Sequence, residues 1–355
     1  MSNFFNFPFT RRRFLQGTGA AVAAVSFSGA NSFAADKKIN VYNWDTYIGE
    51  TTLSSFSEKT GIEVQYDLYA NLEEMFAKFQ AGNPGYDIIF PSDYMIETMI
   101  AADMLVELDR SRIPNFNNVD EAFLNPSFDP GCKYNAPYFW GSVGIGYRKS
   151  KVGDVDSWGV LFDSDKYSGR MAMLADMRFV MGVALLYLGY SANTTKQDEI
   201  NAARDLLIEA KKHLKGFVPD SGQDMLISGD IDLVMEWNGD ILKVMEEDDD
   251  LTYVIPKEGT VIWIDGLSIP KGAPHIDAAY KFIDHVLDAT VNAEMANTVR
   301  YATTNKAARE HVAQSDLDNP AIYAPDEVVN KSQALADVGD ALPLYDAAWT
   351  KIQAS

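Results

Sequence analysis

The sequence is poor in the residues that most catalytic, metal and nucleic-acid sites require. Its 355 residues include one cysteine, Cys132, and 30 basic against 51 acidic residues. A single cysteine cannot close an internal disulfide. The four histidines, at 213, 275, 285 and 311, have no metal-ligand spacing to one another, so no metal site is predicted. A formal net charge of −21 makes nucleic acid and anionic lipid surfaces poor partners.

Motifs of common enzyme classes are absent as well. The chain has no Gly-x-Ser-x-Gly elbow, no Walker loop and no His-Glu-x-x-His. Gly141, Gly144 and Gly146 follow an aromatic strand, but no helix pattern opens after them, so this is not a dinucleotide fingerprint. We therefore predict no cofactor and no enzymatic activity. An exported hydrolase that uses carboxylates remains an alternative, although no spacing singles out an acid–base pair.

The N-terminus has the pattern of an export signal. Arg11 and Arg12 are followed by Phe14-Leu15, an apolar run over 17–29 and small residues near 32–34. This pattern predicts a twin-arginine signal peptide over residues 1–34. Its removal takes away three arginines and no acids, which leaves 30 − 3 = 27 basic residues, and 27 − 51 = −24. We expect the mature chain to lie in a bacterial periplasm, and its charge favours cationic ligands.

Short apolar strands alternate with helical patterns along the mature chain, which predicts an α/β fold with mostly parallel sheets flanked by helices. The predicted strands are 39–44, 62–69, 86–90, 140–147, 170–175, 231–236, 251–255 and 261–264, and the predicted helices are 48–59, 72–80, 177–188, 198–214, 240–247, 276–287 and 291–299. Ligands of such sheets bind beyond the carboxyl ends of the strands.

One strand carries an unusual pair. Trp263 and Asp265 are two residues apart, so on a strand they share one face. A carboxylate placed beside an indole in an apolar strand needs a partner if it is buried. That partner is an arginine or lysine of this chain or a cation from outside, unless Asp265 lies at a solvated strand end.

Other aromatic and acidic residues also stand at the predicted ends of elements. Indole and phenol faces attract ammonium groups, and carboxylates form charge-assisted hydrogen bonds with them. The combination suits an amine with an apolar stem. The residues of this kind are Trp44, Asp45, Ser92, Tyr94, Asp176, Trp237, Asp240, Trp263, Asp265 and Tyr301. Each taken singly has a structural alternative, a core aromatic for the tryptophans and a helix N-terminal acid for Asp240.

Nearly all of the mature chain resembles the periplasmic spermidine/putrescine-binding proteins of ABC importers. The motifs that carry the resemblance are Tyr42-Asn43-Trp44 with Tyr47, Tyr86 to Ser92 with Tyr94, Phe128-Asp129-Pro130, Pro137-Tyr138-x-Trp140-Gly141, Leu188 to Ser191, Trp237-Asn238-Gly239, Pro256 to Gly259, Trp263-x-Asp265 and Tyr301-x-Thr303.

The resemblance implies a type II periplasmic-binding-protein fold with two lobes and a polyamine in the cleft between them. The expected boundaries are 35–141 plus 265–310 for lobe 1 and 142–264 plus 311–355 for lobe 2. Strands would cross between the lobes near 141–144, 263–265 and 310–312.

The resemblance also assigns roles to individual residues. Asp265 matches the principal amine-binding acid, and the tryptophans at 44, 237 and 263 match an aromatic clamp. Ser92, Tyr94 and Tyr301 match polar contacts, Asp176 matches an acid of the second lobe, and Asp240 resembles the acid of putrescine-preferring members. Relatives often carry a ligand-contacting glutamate where this chain has Phe179, and their late glutamine before Asp337 has no clear counterpart here.

The sequence thus predicts a monomeric periplasmic binding protein that captures putrescine or spermidine and delivers it to the membrane permease of an ABC importer. The main alternative is a binding protein for another cationic amine or a cationic amino acid. A role as partner of a membrane sensor also remains open, because import and sensing can share one binding protein.

Overall fold

The structure is a computed structural model that describes residues 37–163, 165–219 and 221–355. The predicted signal peptide, residues 1–34, lies outside the described residues. Eleven strands of the described part belong to one hydrogen-bonded sheet. They are β1 (Lys38–Trp44), β2 (Glu63–Tyr69), β3 (Ile88–Ile89), β4 (Asn135–Arg148), β5 (Met171–Leu174), β6 (Leu214–Val218), β7 (Leu233–Trp237), β8 (Leu251–Val254), β9 (Val261–Ser268), β10 (Ala302–Thr303) and β11 (Gln333–Ala334).

Helices connect these strands and cover the sheet. The α-helices are α1 (Thr52–Thr60), α2 (Leu72–Gln80), α3 (Asp93–Ala101), α4 (Lys149–Val152), α5 (Gly159–Phe162), α6 (Met177–Tyr187), α7 (Gln197–Lys211), α8 (Gly222–Ile227), α9 (Asn238–Val244), α10 (Ile276–Val286), α11 (Ala289–Val299), α12 (Gln314–Leu317), α13 (Asp326–Val329) and α14 (Leu342–Ala354). Short 3₁₀ helices occupy Arg110–Arg112, Pro114–Asn118, Glu121–Phe123, Ala308–Glu310 and Gly339–Ala341. Within the described ranges, every helix is too short or too polar to cross a bilayer.

The sheet has two halves joined by two long strands. The strand order is β2-β1-β3-β9-β4-β7-β5-β6. We call β1 to β3 the first half and β5 to β8 the second half. Strand β9 pairs with β3 at Ile89↔Ser268, whereas β4 pairs with β7 over Val143–Tyr147. Because β4 and β9 also pair with each other, they carry the chain from one half to the other.

Local signals fix the first β-α-β unit as the sequence predicts. Helix α1 ends at Gly61, which adopts the left-handed conformation (φ 70°) that glycine tolerates best, and its N–H bonds to the Ser57 carbonyl. Helix α2 begins at Asn71, whose side chain accepts a hydrogen bond from the Glu74 N–H at 2.8 Å. Strands β1 and β2 then pair in parallel along their full length, which confirms the predicted parallel arrangement.

Several predicted boundaries are wrong. Helix α1 begins at Thr52 rather than at 48, because the Glu294 carboxylate of α11 accepts hydrogen bonds from the Thr51 N–H and the Thr52 hydroxyl. The predicted helix over 198–214 ends at Lys211, since Leu214 already pairs with β5 as the first residue of β6.

Three other differences concern residues near the predicted cleft. The strand predicted over 86–90 is only β3, and Ser92 is the residue that precedes α3 rather than a strand end. Tyr94 lies inside that helix, which the sequence analysis did not predict. Residues 310–312, expected to form a third crossing strand, are instead the last residue of the 3₁₀ helix Ala308–Glu310 and the two residues after it.

Candidate functional site

A cavity lies where the ends of β1 and β7 meet the middle of β9 and the residue before α3. The empty space between its walls, including the open solvent at its mouth, is about 330 Å³. Tryptophan, tyrosine and aspartate side chains make up nearly all of its lining. The lining residues are Trp44, Asp45, Tyr47, Ser92, Trp237, Asp240, Trp263, Asp265 and Tyr301.

The strand register explains why distant tryptophans meet. In the antiparallel pairings of β4, Gly141 stands opposite Trp263 and Val143 stands opposite Trp237. Gly141 lacks a side chain at the point where the Trp263 ring crosses the strand, and a Cβ there would lie 2.6 Å from the ring. Trp44, at the end of β1, is held by a 3.1 Å hydrogen bond from its Nε1 to the Phe90 carbonyl.

The aromatic rings form a box with steep mutual angles. The Trp237 ring lies 6.0 Å from that of Trp263 at 87° and 6.1 Å from that of Trp44 at 68°. Tyr301 lies 5.1 Å from Trp263, and Tyr47 lies 5.3 Å from Tyr301. Edge-to-face packing of this kind fixes the walls of the cavity. Such a box offers ring faces to a cation and shields methylene groups from water.

Two buried aspartates line the cavity, and Asp265 is more deeply buried than Asp240. Its side chain is 4% exposed, and its Oδ1 accepts a hydrogen bond from the Ser92 hydroxyl at 2.5 Å. The alternative of a solvated strand end is therefore wrong. Burial raises the pKa of Asp265 to about 7, although the Ser92 hydrogen bond lowers it. The nearby Tyr47 hydroxyl lowers the pKa of Asp265 as well.

Asp240 faces the same cavity from helix α9, which follows β7. Its Oδ2 accepts a hydrogen bond from the Tyr301 hydroxyl at 2.8 Å, and its Oδ1 accepts one from the Thr46 hydroxyl at 3.3 Å. Burial raises the pKa of Asp240 to about 6, against the lowering effect of both hydrogen bonds and of Lys243. Asp45 lies exposed beside it and raises that pKa further.

The cavity therefore combines negative charge with an apolar wall. No lysine or arginine of the described residues lines it, so its buried carboxylates lack an internal counter-ion there. Nor do the described residues contain a cluster of three or more histidine, cysteine, aspartate or glutamate side chains that could hold a metal ion. An organic cation with an apolar stem satisfies both the charge and the aromatic surface.

Three of the predicted ligand-binding residues do not line this cavity. Phe179 is fully buried, and its ring lies 4.8 Å from Trp237 and 6.3 Å from Tyr94. Asp176 precedes α6 and is 4% exposed, and burial raises its pKa to about 6. Neither of its carboxylate oxygens has a hydrogen-bond partner of ordinary geometry among the described residues. Phe179 thus packs between Trp237, which lines the cavity, and Tyr94, which lies outside it.

Tyr47 and Thr46 are functional candidates that the sequence analysis did not place in the site. Tyr47 appears there only as part of a family motif, although its position three residues after Trp44 could have indicated a shared loop. Thr46 contributes a hydrogen bond to Asp240 from a distance of 194 residues along the chain, which no local pattern indicates.

Comparisons with known proteins agree with this picture. Residues 51–322 match the family of bacterial extracellular solute-binding proteins. The chain is 33% identical over 345 residues to the spermidine/putrescine-binding periplasmic protein of Salmonella typhimurium, covering 96% of this chain and 98% of that protein. It is 32% identical over 361 residues to the putrescine-binding periplasmic protein PotF of Escherichia coli, covering 95% and 97%.

Solved structures show the same fold. The spermidine/putrescine ABC transporter substrate-binding protein PotD of Streptococcus pneumoniae superposes with a TM-score of 0.75 at 31% identity, over 90% of this chain and 99% of that one. The fold is the α/β fold of type II periplasmic binding proteins, as predicted. The chain belongs to the family of bacterial extracellular solute-binding proteins.

Proposed function

We propose that this protein binds a polyamine between the two halves of its sheet and delivers it to the permease of an ABC importer. The observation that carries this proposal is the cavity itself, in which Asp265 and Asp240 are buried among three indole rings without a lysine or arginine in the lining. The relatives named above bind spermidine or putrescine, and their similarity to this chain extends over nearly its whole length.

The chemistry of the ligand follows from the lining. Each carboxylate can pair with one ammonium group, and the rings of Trp44, Trp237 and Trp263 can cover the methylenes between them. The two nitrogens of an extended four-carbon diamine are about 6 Å apart by standard bond lengths. A diamine therefore brings one ammonium group for each of the two buried acids of the lining, Asp240 and Asp265.

We propose that the two halves of the sheet belong to two separate lobes. We assign residues 35–141 plus 265–310 to lobe 1 and residues 142–264 plus 311–355 to lobe 2, with β4 and β9 as the crossing strands. Thr46 and Asp240, and Trp44 and Trp237, then belong to opposite lobes and are in contact. Closure of the lobes about β4 and β9 would bury the amine and shape the surface that the permease recognises.

The proposed location and partners follow the same reasoning. The twin arginines at 11 and 12 support export through the twin-arginine pathway. The two relatives named above are periplasmic binding proteins. We propose a monomer that works in the periplasm, where the net charge of −24 expected after cleavage of the signal favours cations.

A calorimetric panel tests the function. The purified protein, unfolded and refolded to remove any bound amine, is titrated with putrescine, spermidine, cadaverine, lysine, arginine and choline at one ionic strength. We expect micromolar or tighter binding of at least one polyamine and much weaker binding of the amino acids and choline. Mass spectrometry of the small molecules released on denaturation gives an independent identification. Tight binding of lysine, arginine or choline alone, or hydrolysis of an added amide, would refute the proposal.

A further inference from the structure

Thr46 occupies an unusual backbone position at the mouth of the cavity. Its φ is +51°, in the left-handed region that β-branched residues rarely adopt. Residues in such conformations are held there by their surroundings, and they concentrate at functional sites. Its neighbours Asp45 and Tyr47 both line the cavity, so the strained residue lies in the middle of a lining segment.

Contacts on both sides hold this segment in place. The Thr46 N–H donates to the Asp45 carboxylate at 2.9 Å, which closes a local turn. Further along, Gly49 lies so close to Glu294 that a Cβ there would collide with the carboxylate. Glu294 also accepts a hydrogen bond from the Thr51 N–H at 3.3 Å. The segment from Asp45 to Thr51 is therefore anchored to helix α11 at its far end.

The side chain of Thr46 points the other way, toward the second half. Its hydroxyl donates to Asp240 Oδ1 at 3.3 Å, while Tyr301 donates to Oδ2 at 2.8 Å. Lys243 on the same helix lowers the pKa of Asp240, and Asp45 beside Thr46 raises it. The left-handed turn at Thr46 is what aims the hydroxyl across the cavity mouth, since it sets the direction in which the side chain leaves the backbone.

We propose that Thr46 is a positioning residue that latches the cavity mouth and keeps Asp240 oriented and ionised for an ammonium group. This inference rests on the proposed function, because the latch matters only if a cation is held beside Asp240. Its hydroxyl donates to the carboxylate and contributes no charge, so it acts through Asp240. Opening of the two halves must break this hydrogen bond, so the bond should slow the escape of ligand more than it alters its entry.

Matched substitutions separate the hydroxyl from the shape of the side chain. Thr46→Val keeps the branched shape and loses the donor, whereas Thr46→Ser keeps the donor and serves as the rescue variant. Tryptophan fluorescence in stopped flow follows binding of putrescine, because three indoles line the cavity. We expect the Thr46→Val protein to release putrescine about threefold to tenfold faster than the wild type. Its association rate should change less than twofold, and the Thr46→Ser protein should release putrescine at nearly the wild-type rate.

A second readout needs no amine. Carbon-13 NMR titration of the Asp240 carboxyl, assigned with an Asp240→Asn protein, should show a higher pKa in Thr46→Val than in Thr46→Ser, because a donated hydrogen bond stabilises the ionised form. Equal putrescine dissociation rates in the two variants, or equal pKa values of Asp240, would refute the role proposed for Thr46. A wild type that binds none of the amines refutes the proposed function instead, and the titration alone then decides whether Thr46 positions Asp240.

Discussion

Replacing Asp265 by asparagine should remove most of the affinity for an amine without disturbing the site. The asparagine Oδ1 can still accept the hydrogen bond that Ser92 donates to the aspartate, so only the charge and one acceptor oxygen are lost. Loss of one partner of a desolvated charge pair weakens binding by roughly 2–5 kcal/mol. This corresponds to a dissociation constant raised on the order of 30-fold to several thousand-fold.

The same substitution should leave the ligand-free protein at least as stable as the wild type. Burial raises the pKa of Asp265 to about 7, above the roughly 3.9 of an unfolded aspartate. The folded state therefore holds a proton more firmly than the unfolded state. The free energy of unfolding falls as the pH rises from about 4 to about 7. Asparagine removes that loss, which is worth at most roughly 4 kcal/mol at pH 8.

Asp93 provides a matched control for this experiment. It is fully buried near Asp265 but does not line the cavity, and its Oδ1 accepts from the Tyr94 N–H at 2.8 Å, which an asparagine can preserve. Calorimetry with putrescine and thermal melting at pH 8 should be run on both variants. We expect Asp93→Asn to bind within about threefold of the wild type. An Asp265→Asn protein that also binds within threefold, or a control that loses as much affinity, would place the ammonium site elsewhere.

Three further outcomes are expected. Replacing Arg11 and Arg12 by lysine should abolish accumulation of mature protein in the periplasmic fraction, whereas a normal yield would contradict the twin-arginine signal. The wild type should bind putrescine roughly tenfold or more tightly than spermidine, because Asp240 and Asp265 are the buried carboxylates of the cavity lining and a third ammonium would be poorly paired. A wild type that prefers spermidine would contradict this count of carboxylates. Because burial raises the pKa of Asp265 to about 7 and that of Asp240 to about 6, binding should release protons and weaken roughly 100-fold from pH 8 to pH 5.5. Calorimetry at both pH values checks this, and a pH-independent affinity argues against ionisation of these acids on binding.

The fold was largely predictable because the chain's signals for it are local. Apolar periodicity located β1, β2 and β7 to within two residues, and the bounds predicted for α2 match the observed helix. The prediction failed where a tertiary contact sets a boundary, as Glu294 does at the start of α1. It also missed α3, which follows directly after Pro91 and Ser92 and looked from the sequence like the end of a strand.

The candidate site was predictable in part for a related reason. Trp44 and Trp237 stand at strand ends, and Trp263 and Asp265 share one face of β9, so sheet geometry alone brings them to one region. Tyr94, Asp176 and Phe179 were assigned roles through family resemblance, and in this structure none of them lines the cavity. Phe179 packs against the Trp237 ring, and Tyr94 packs against Phe179. Which residues enter a cavity depends on the angles at which side chains leave their elements, and strand spacing does not specify those angles.

The sequence by itself determined the alternation of strands and helices, the excess of acids over bases, and the aromatic and acidic character of the strand ends, because each depends on residue type and short spacing. Only the tertiary structure decided that Asp240 and Thr46 meet, that Asp265 is desolvated rather than solvated, and that no lysine or arginine of the described part of the chain lines the cavity with them. Hydrogen bonds and desolvation act over a few ångströms, so they are set by the packing of residues about 200 positions apart in the chain.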